Sequence, residues 1–83
     1  MLTVRVGQEH INWGAPRSGT RCPIALAIVD QGVKRTKVVF VWQRIIFANG
    51  RFYVASRNAT RFIRRFDDGK PVLPTTFRFK ERV

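Results

Sequence analysis

The sequence predicts an α+β domain: a small single-layer antiparallel or mixed sheet, in the order β-α-β-β-β-α-β, with two helices packed on one face. Three observations predict it. Short runs of β-branched and aromatic residues recur along the chain, and two segments carry helix start and stop signals. A length of 83 residues suffices for one modest core, so the whole of 1–83 is read as a single domain.

The first strand is "LTVRV", where Leu2, Val4 and Val6 alternate with Thr3 and Arg5 at the period of a half-buried strand. "QEHINWG" has the makings of a helical turn and nothing longer. The loop "GAPRSGTR" then leads to Cys22 and Pro23. Proline suits the first helical position, where the amide it lacks would have no partner, so a helix is expected from Pro23 to Gln31 with Gly32 ending it. Ile24 to Val29 leave this helix almost no polar face, and it should be buried against the sheet.

A strand follows from about Thr36 to Gln43, and "RIIFANGRFYVAS" is a hairpin whose Asn49-Gly50 dipeptide tolerates the positive φ of a tight turn. The second helix is "RNATRFIRRFDDG", with Ser56 or Asn58 as N-cap, Gly69 at C′ and Pro71 preventing continuation. Helical spacing gathers Ala59, Phe62, Ile63 and Phe66 on one arc and Arg57, Arg61, Arg64 and Arg65 on the other. Asp68 falls on the arginine side, within reach of Arg64 or Arg65. The chain closes on "TTFRFKERV", in which Phe77 and Phe79 alternate with basic residues. If the first and last strands lie side by side, Arg5, Arg78 and Lys80 share the face opposite the core.

Sixteen Lys and Arg against five Asp and Glu give a net charge of +11, a bias that repels itself in a compact chain and calls for an anionic partner. Twelve of the sixteen are Arg, whose planar head forks onto phosphates and stacks on bases, so nucleic acid, DNA or RNA, is the expected partner. With 45% hydrophobic residues the chain is too apolar to be a disordered basic tail.

Other classes fit poorly. One cysteine, Cys22, excludes an internal disulfide, and one histidine, His10, leaves no zinc ligand set, so neither metal nor cofactor is expected. No apolar run approaches the roughly 20 residues that span a bilayer and the N-terminus lacks a signal-peptide core, which together predict a soluble cytoplasmic protein without a membrane partner.

Gly14 and Gly19 have the spacing of a phosphate-binding P-loop, but Thr20 stands where lysine is needed and Arg21 follows. What remains there is either a simple corner or an anion contact made by loop amides between Arg17 and Arg21 at a helix start. Cys22 sits where the helix dipole would favour its thiolate, but His10 lies in another segment with no Asn or Asp pattern to orient it, and a small buried residue is the expected role. Asp67 and Asp68 read as helix termination and solvation. No enzyme is predicted.

The expected interface is therefore the stripe Arg57, Arg61, Arg64 and Arg65, which can follow a phosphate backbone, extended by Arg5, Arg78, Lys80, Arg17 and Arg21. Trp42, Phe52 or Tyr53 would stack on bases if they project outward, and Trp13 beside Arg17 is a weaker candidate of the same kind. An exposed strand edge would support a homodimer.

At "HINWG…CPIALAI" and "FIRRFDDGKPVLPTTFRF" the chain resembles a set of small phage and prophage proteins, many of them actinobacterial. Chains of that set pair an opening strand with a Cys-Pro-initiated apolar helix and an "FDxGxPVxP" segment before a terminal strand. The resemblance implies a shared fold and a phage origin, and it carries over no activity or residue role. Similar chains close on an acidic strand, whereas "FRFKERV" here places Arg78 and Lys80 on the outward positions. A phage origin also implies an alternative role, as an inhibitor or adaptor docking on an acidic surface of a host or phage protein.

Overall fold

A computed structural model describes residues 2–31, 40–42, 45–48 and 50–82, with the backbone alone for 40 and 42. The expected helix stop Gly32, the outer parts of the Thr36 to Gln43 strand, and Asn49 lie outside the described residues. The fold is α+β. Its elements run β1 (Leu2–Val6), α1 (Gln8–Trp13), α2 (Pro23–Asp30), β2 (Phe40–Trp42), β3 (Ile45–Ala48), β4 (Arg51–Val54), α3 (Arg57–Asp67) and β5 (Thr75–Glu81).

The sheet order is β1-β5-β4-β3-β2 and each neighbouring pair is antiparallel, which resolves the antiparallel-or-mixed alternative. The first and last strands are neighbours, which meets the condition under which Arg5, Arg78 and Lys80 share a face, with Val4 opposite Phe77 and Leu2 opposite Phe79. β5 joins the two parts of the sheet: residues 75 to 79 pair with β1, while Lys80 and Glu81 pair with Val54 and Tyr53 of β4.

Local signals set the helix ends. Pro23 opens α2 behind Cys22, whose Sγ accepts the Ala25 amide at 3.4 Å. Ser56 caps α3 by accepting the Ala59 amide at 3.2 Å. Beyond α3, Gly69 adopts φ +74°, and the Gly69 and Lys70 amides donate back to the Phe66 and Arg65 carbonyls, the paired bonds of a Schellman ending. Gly50 adopts φ +75° in the two-residue turn between β3 and β4.

One helix more than expected is present. Six residues make a marginal helix in isolation, and α1 is held from outside its own segment. Its His10 is buried, receives the Gly7 amide on Nδ1 at 2.9 Å and contacts Asp30 of α2 through Nε2 at 2.6 Å.

The core lies between one face of the sheet and the helices. Val4, Val6, Phe77 and Phe79 meet Ile24, Ala27 and Ile28 of α2 and Ala59 and Phe62 of α3. Phe62 meets Phe77 edge-on, with ring centroids 5.5 Å apart, and Phe77 stacks over Phe79 at 5.8 Å. Both long helices thus cover the same side. Among the described residues, no helix is long and apolar enough to cross a membrane.

Candidate nucleic-acid interface

α3 places its residues as helical periodicity requires. Ala59 and Phe62 are buried, Ile63 and Phe66 are half-buried, and Arg57, Arg61, Arg64 and Arg65 are all exposed on the opposite arc. Three of the four arginines, Arg57, Arg61 and Arg64, line a groove of about 420 Å³ together with Val54, Ala55 and Thr60. The fourth behaves differently. Nε and Nη2 of Arg65 both donate to the Pro71 carbonyl, at 3.2 and 3.1 Å, so this guanidinium also clamps the chain leaving the helix.

The expected pairing of Asp68 with Arg64 or Arg65 is absent among the described residues, where the Lys or Arg to carboxylate pair is Arg51 to Glu81 at 3.0 Å. Such exposed pairs contribute little in any case. The consequence is that the arginine arc keeps its charge.

A second surface forms on the side of the sheet away from α2 and α3. Alternation turns Thr3, Arg5, Thr76, Arg78 and Lys80 away from the core, and the register sets Thr3 beside Arg78 and Arg5 beside Thr76. Lys80 pairs with Val54, and Phe52 with Phe47, so the same side continues into an apolar and aromatic half. Phe52 is 51% exposed and Val54 43% exposed, and the Phe47 and Phe52 rings lie 4.8 Å apart, tilted by 48°. Of the stacking candidates, Phe52 thus projects outward, whereas Tyr53 is half-buried against the core. The side chain of Trp42 lies outside the described residues. Trp13, 82% exposed at the end of α1, is open to solvent.

No protein-family model, curated protein or solved structure matches this chain.

The loop between α1 and α2 is tied into the fold at several points. The Arg17 amide donates to Asp67 Oδ1 at 2.8 Å, the Arg21 amide to Ser18 Oγ at 3.1 Å, and the Val41 amide of β2 to the Gly19 carbonyl at 2.7 Å. Gly14 is required by close approach, because a Cβ there would stand 2.9 Å from two carbons of the Pro23 ring. The loop therefore turns a corner and braces α3 and β2. Arg17 and Arg21 are exposed on it, and the Asp67 carboxylate takes the Arg17 amide, next to the Ser18 to Thr20 segment.

Two readings of single residues change. Asp67 is more than a helix terminator, since it binds the loop. His10 does have an acidic partner, Asp30, which sequence spacing could not reveal because the two lie 20 residues apart. With Nδ1 accepting from Gly7 and Nε2 bonded to Asp30, both ring nitrogens are engaged in structure. Cys22 is buried, as expected, and burial pushes its thiol above the ordinary value against the lowering pull of the Ala25 amide.

Proposed function

We propose that this protein binds nucleic acid, contacting the phosphate backbone through the arginine face of α3. One observation carries the reading: Arg57, Arg61 and Arg64 converge on a single groove, and no carboxylate pairs with them among the described residues. Cations spaced along one groove suit a polyanion, whose binding releases condensed counterions with each phosphate neutralised. Arg5, Arg78 and Lys80 extend the basic surface onto the sheet, and Arg17 and Arg21 onto the loop. The resemblance to phage and prophage chains supports a phage-encoded protein acting in the host cytoplasm.

Titration of duplex DNA, single-stranded DNA and RNA at two salt concentrations tests this reading. Neutralising about four to six phosphates on duplex gives a slope of log K against log salt near −4 to −5. Failure to bind any of the three at low salt refutes the proposal.

A second reading is favoured by the exposed apolar side chains Trp13 and Leu73, at 82% and 79% exposure. Together with the basic face they would suit an inhibitor or adaptor that docks on an acidic protein surface. Capture of a specific protein from nuclease-treated host lysate, by a protein that ignores nucleic acid at low salt, would establish it.

A further inference from the structure

The face of the sheet away from α2 and α3 narrows the ligand, an inference that rests on the nucleic-acid reading above. We propose that this face binds single-stranded nucleic acid, with bases stacked on the Phe47 and Phe52 rings and phosphates held by Lys80, Arg78 and Arg5.

Phe52 and Val54 present 51% and 43% of their surface to solvent on a strand in the middle of the sheet, a place where an apolar side chain gains nothing from being wet. Both lie opposite the side covered by α2 and α3. Phe47 packs against Phe52 at 4.8 Å, which fixes an aromatic platform rather than a single mobile ring. The adjoining strand supplies charge of one sign. Lys80 is in register with Val54, and Arg78 and Arg5 lie beyond it towards the β1 edge. The one carboxylate in these strands, Glu81, falls on the opposite alternation and is paired with Arg51 at 3.0 Å. An aromatic platform bordered by cations suits an anion that carries planar apolar rings.

Strandedness follows from geometry. In a duplex the base faces are already stacked on one another and cannot reach the rings on the sheet, whereas an unpaired strand can turn its bases onto aromatic rings while its phosphates reach the flanking cations. Val54 also lines the groove formed by Arg57, Arg61 and Arg64. A strand leaving the platform across Val54 therefore enters the arginine groove, and the two surfaces make one continuous track.

The test is fluorescence anisotropy with labelled oligo(dT), oligo(U) and a DNA duplex, each about 12 long, within the range of site sizes such surfaces cover. Both single strands are expected to bind more tightly than the duplex, and their ratio reports whether DNA or RNA is preferred. Phe52→Ala should weaken single-strand binding by about 5- to 100-fold and leave duplex binding unchanged, Phe52→Leu should behave like Phe52→Ala, and Phe52→Trp should restore affinity. The double variant Arg78→Ala/Lys80→Ala, which leaves the aromatic platform intact, should flatten the single-strand salt slope by about 1.4.

Wild-type affinity in Phe52→Leu, or equal loss on single strand and duplex, overturns the single-strand assignment and leaves the helix reading standing. Absence of binding to any nucleic acid at low salt overturns the helix reading as well. Displacement by polyglutamate as effective as by oligonucleotide, with Phe52→Ala neutral, would give the surface to an acidic protein instead.

Discussion

The side-chain carboxylate of Asp67 accepts the backbone amide of Arg17 at 2.8 Å, across a sequence separation of 50 residues. Arg17 adopts φ +59°, a left-handed conformation that costs a non-glycine residue about 1–2 kcal/mol. The bond holds the strained corner against the last turn of α3. Replacing Asp67 with alanine should destabilise the protein by about 1–2 kcal/mol, the range for a charge-assisted bond discounted for partial exposure. Urea unfolding measures it, and a change below about 0.3 kcal/mol would show that the corner stands without α3.

Arg61 and Arg65 occupy the same helix arc but should respond differently to truncation. Arg65 bonds the Pro71 carbonyl through two nitrogens, so Arg65→Ala should lower stability by about 0.5–1.5 kcal/mol. Arg61→Ala should leave stability within about 0.5 kcal/mol and weaken nucleic-acid binding, with the duplex salt slope reduced by about 0.9. Thermal melts read beside binding isotherms separate the two effects.

Gln31 closes the free edge of β1 as an extra strand would. Its Oε1 accepts the Arg5 amide and its Nε2 donates to the Thr3 carbonyl, both at 2.6 Å. At the other edge the Val41 amide is taken by Gly19. The edge that would have supported a homodimer is thus occupied at these positions. Gln31→Ala should unblock β1, cost about 1 kcal/mol and promote self-association that rises with concentration in sedimentation velocity.

Cys22 makes stability depend on alkaline pH. Because burial raises its value in the folded state, the folded protein keeps the proton that the unfolded chain loses. The associated stability is present in full below the ordinary thiol value near pH 8.5 and declines as pH rises above it, since the unfolded chain then gains by ionising. Cys22→Ala should flatten that decline in urea midpoints measured from about pH 7.5 to 10. Native Cys22 should also react with iodoacetamide far more slowly than the urea-unfolded chain, and equal rates would show the thiol to be accessible.

Phe79 is fully buried where β5 meets the helices. Phe79→Ala should cost about 3–5 kcal/mol. That is a large share of the roughly 4–12 kcal/mol expected for a chain of this length, and the variant should be unfolded or nearly so in circular dichroism at 37 °C.

Much of the secondary structure was legible because its causes are local. Pro23 starts α2 and Gly69 ends α3 through constraints of their own backbones, and Gly50 takes the positive φ that its turn needs. Alternation in β1 and β5 is a two-residue pattern, and it set Arg5, and Arg78 with Lys80, opposite the apolar residues of their own strands; the pairing of the two strands then put them on one side. The arginine arc of α3 is likewise a consequence of 3.6 residues per turn. α1 was not legible as a helix, because its stability comes from the contact of His10 with Asp30 on another element.

By itself, the sequence determined the fold class, the start of α2, both ends of α3 and the separation of basic from apolar faces, all set by interactions within a few residues. Tertiary structure alone decided that Asp67 anchors the loop, that Gln31 seals β1 and that Phe52 rather than Tyr53 faces solvent. It also decided that the strand order β1-β5-β4-β3 sets Lys80 beside Val54 and brings Phe47 onto the same side as Arg78. These depend on which distant segments pair and in what register, and a one-residue shift in that register would exchange the two faces of a strand.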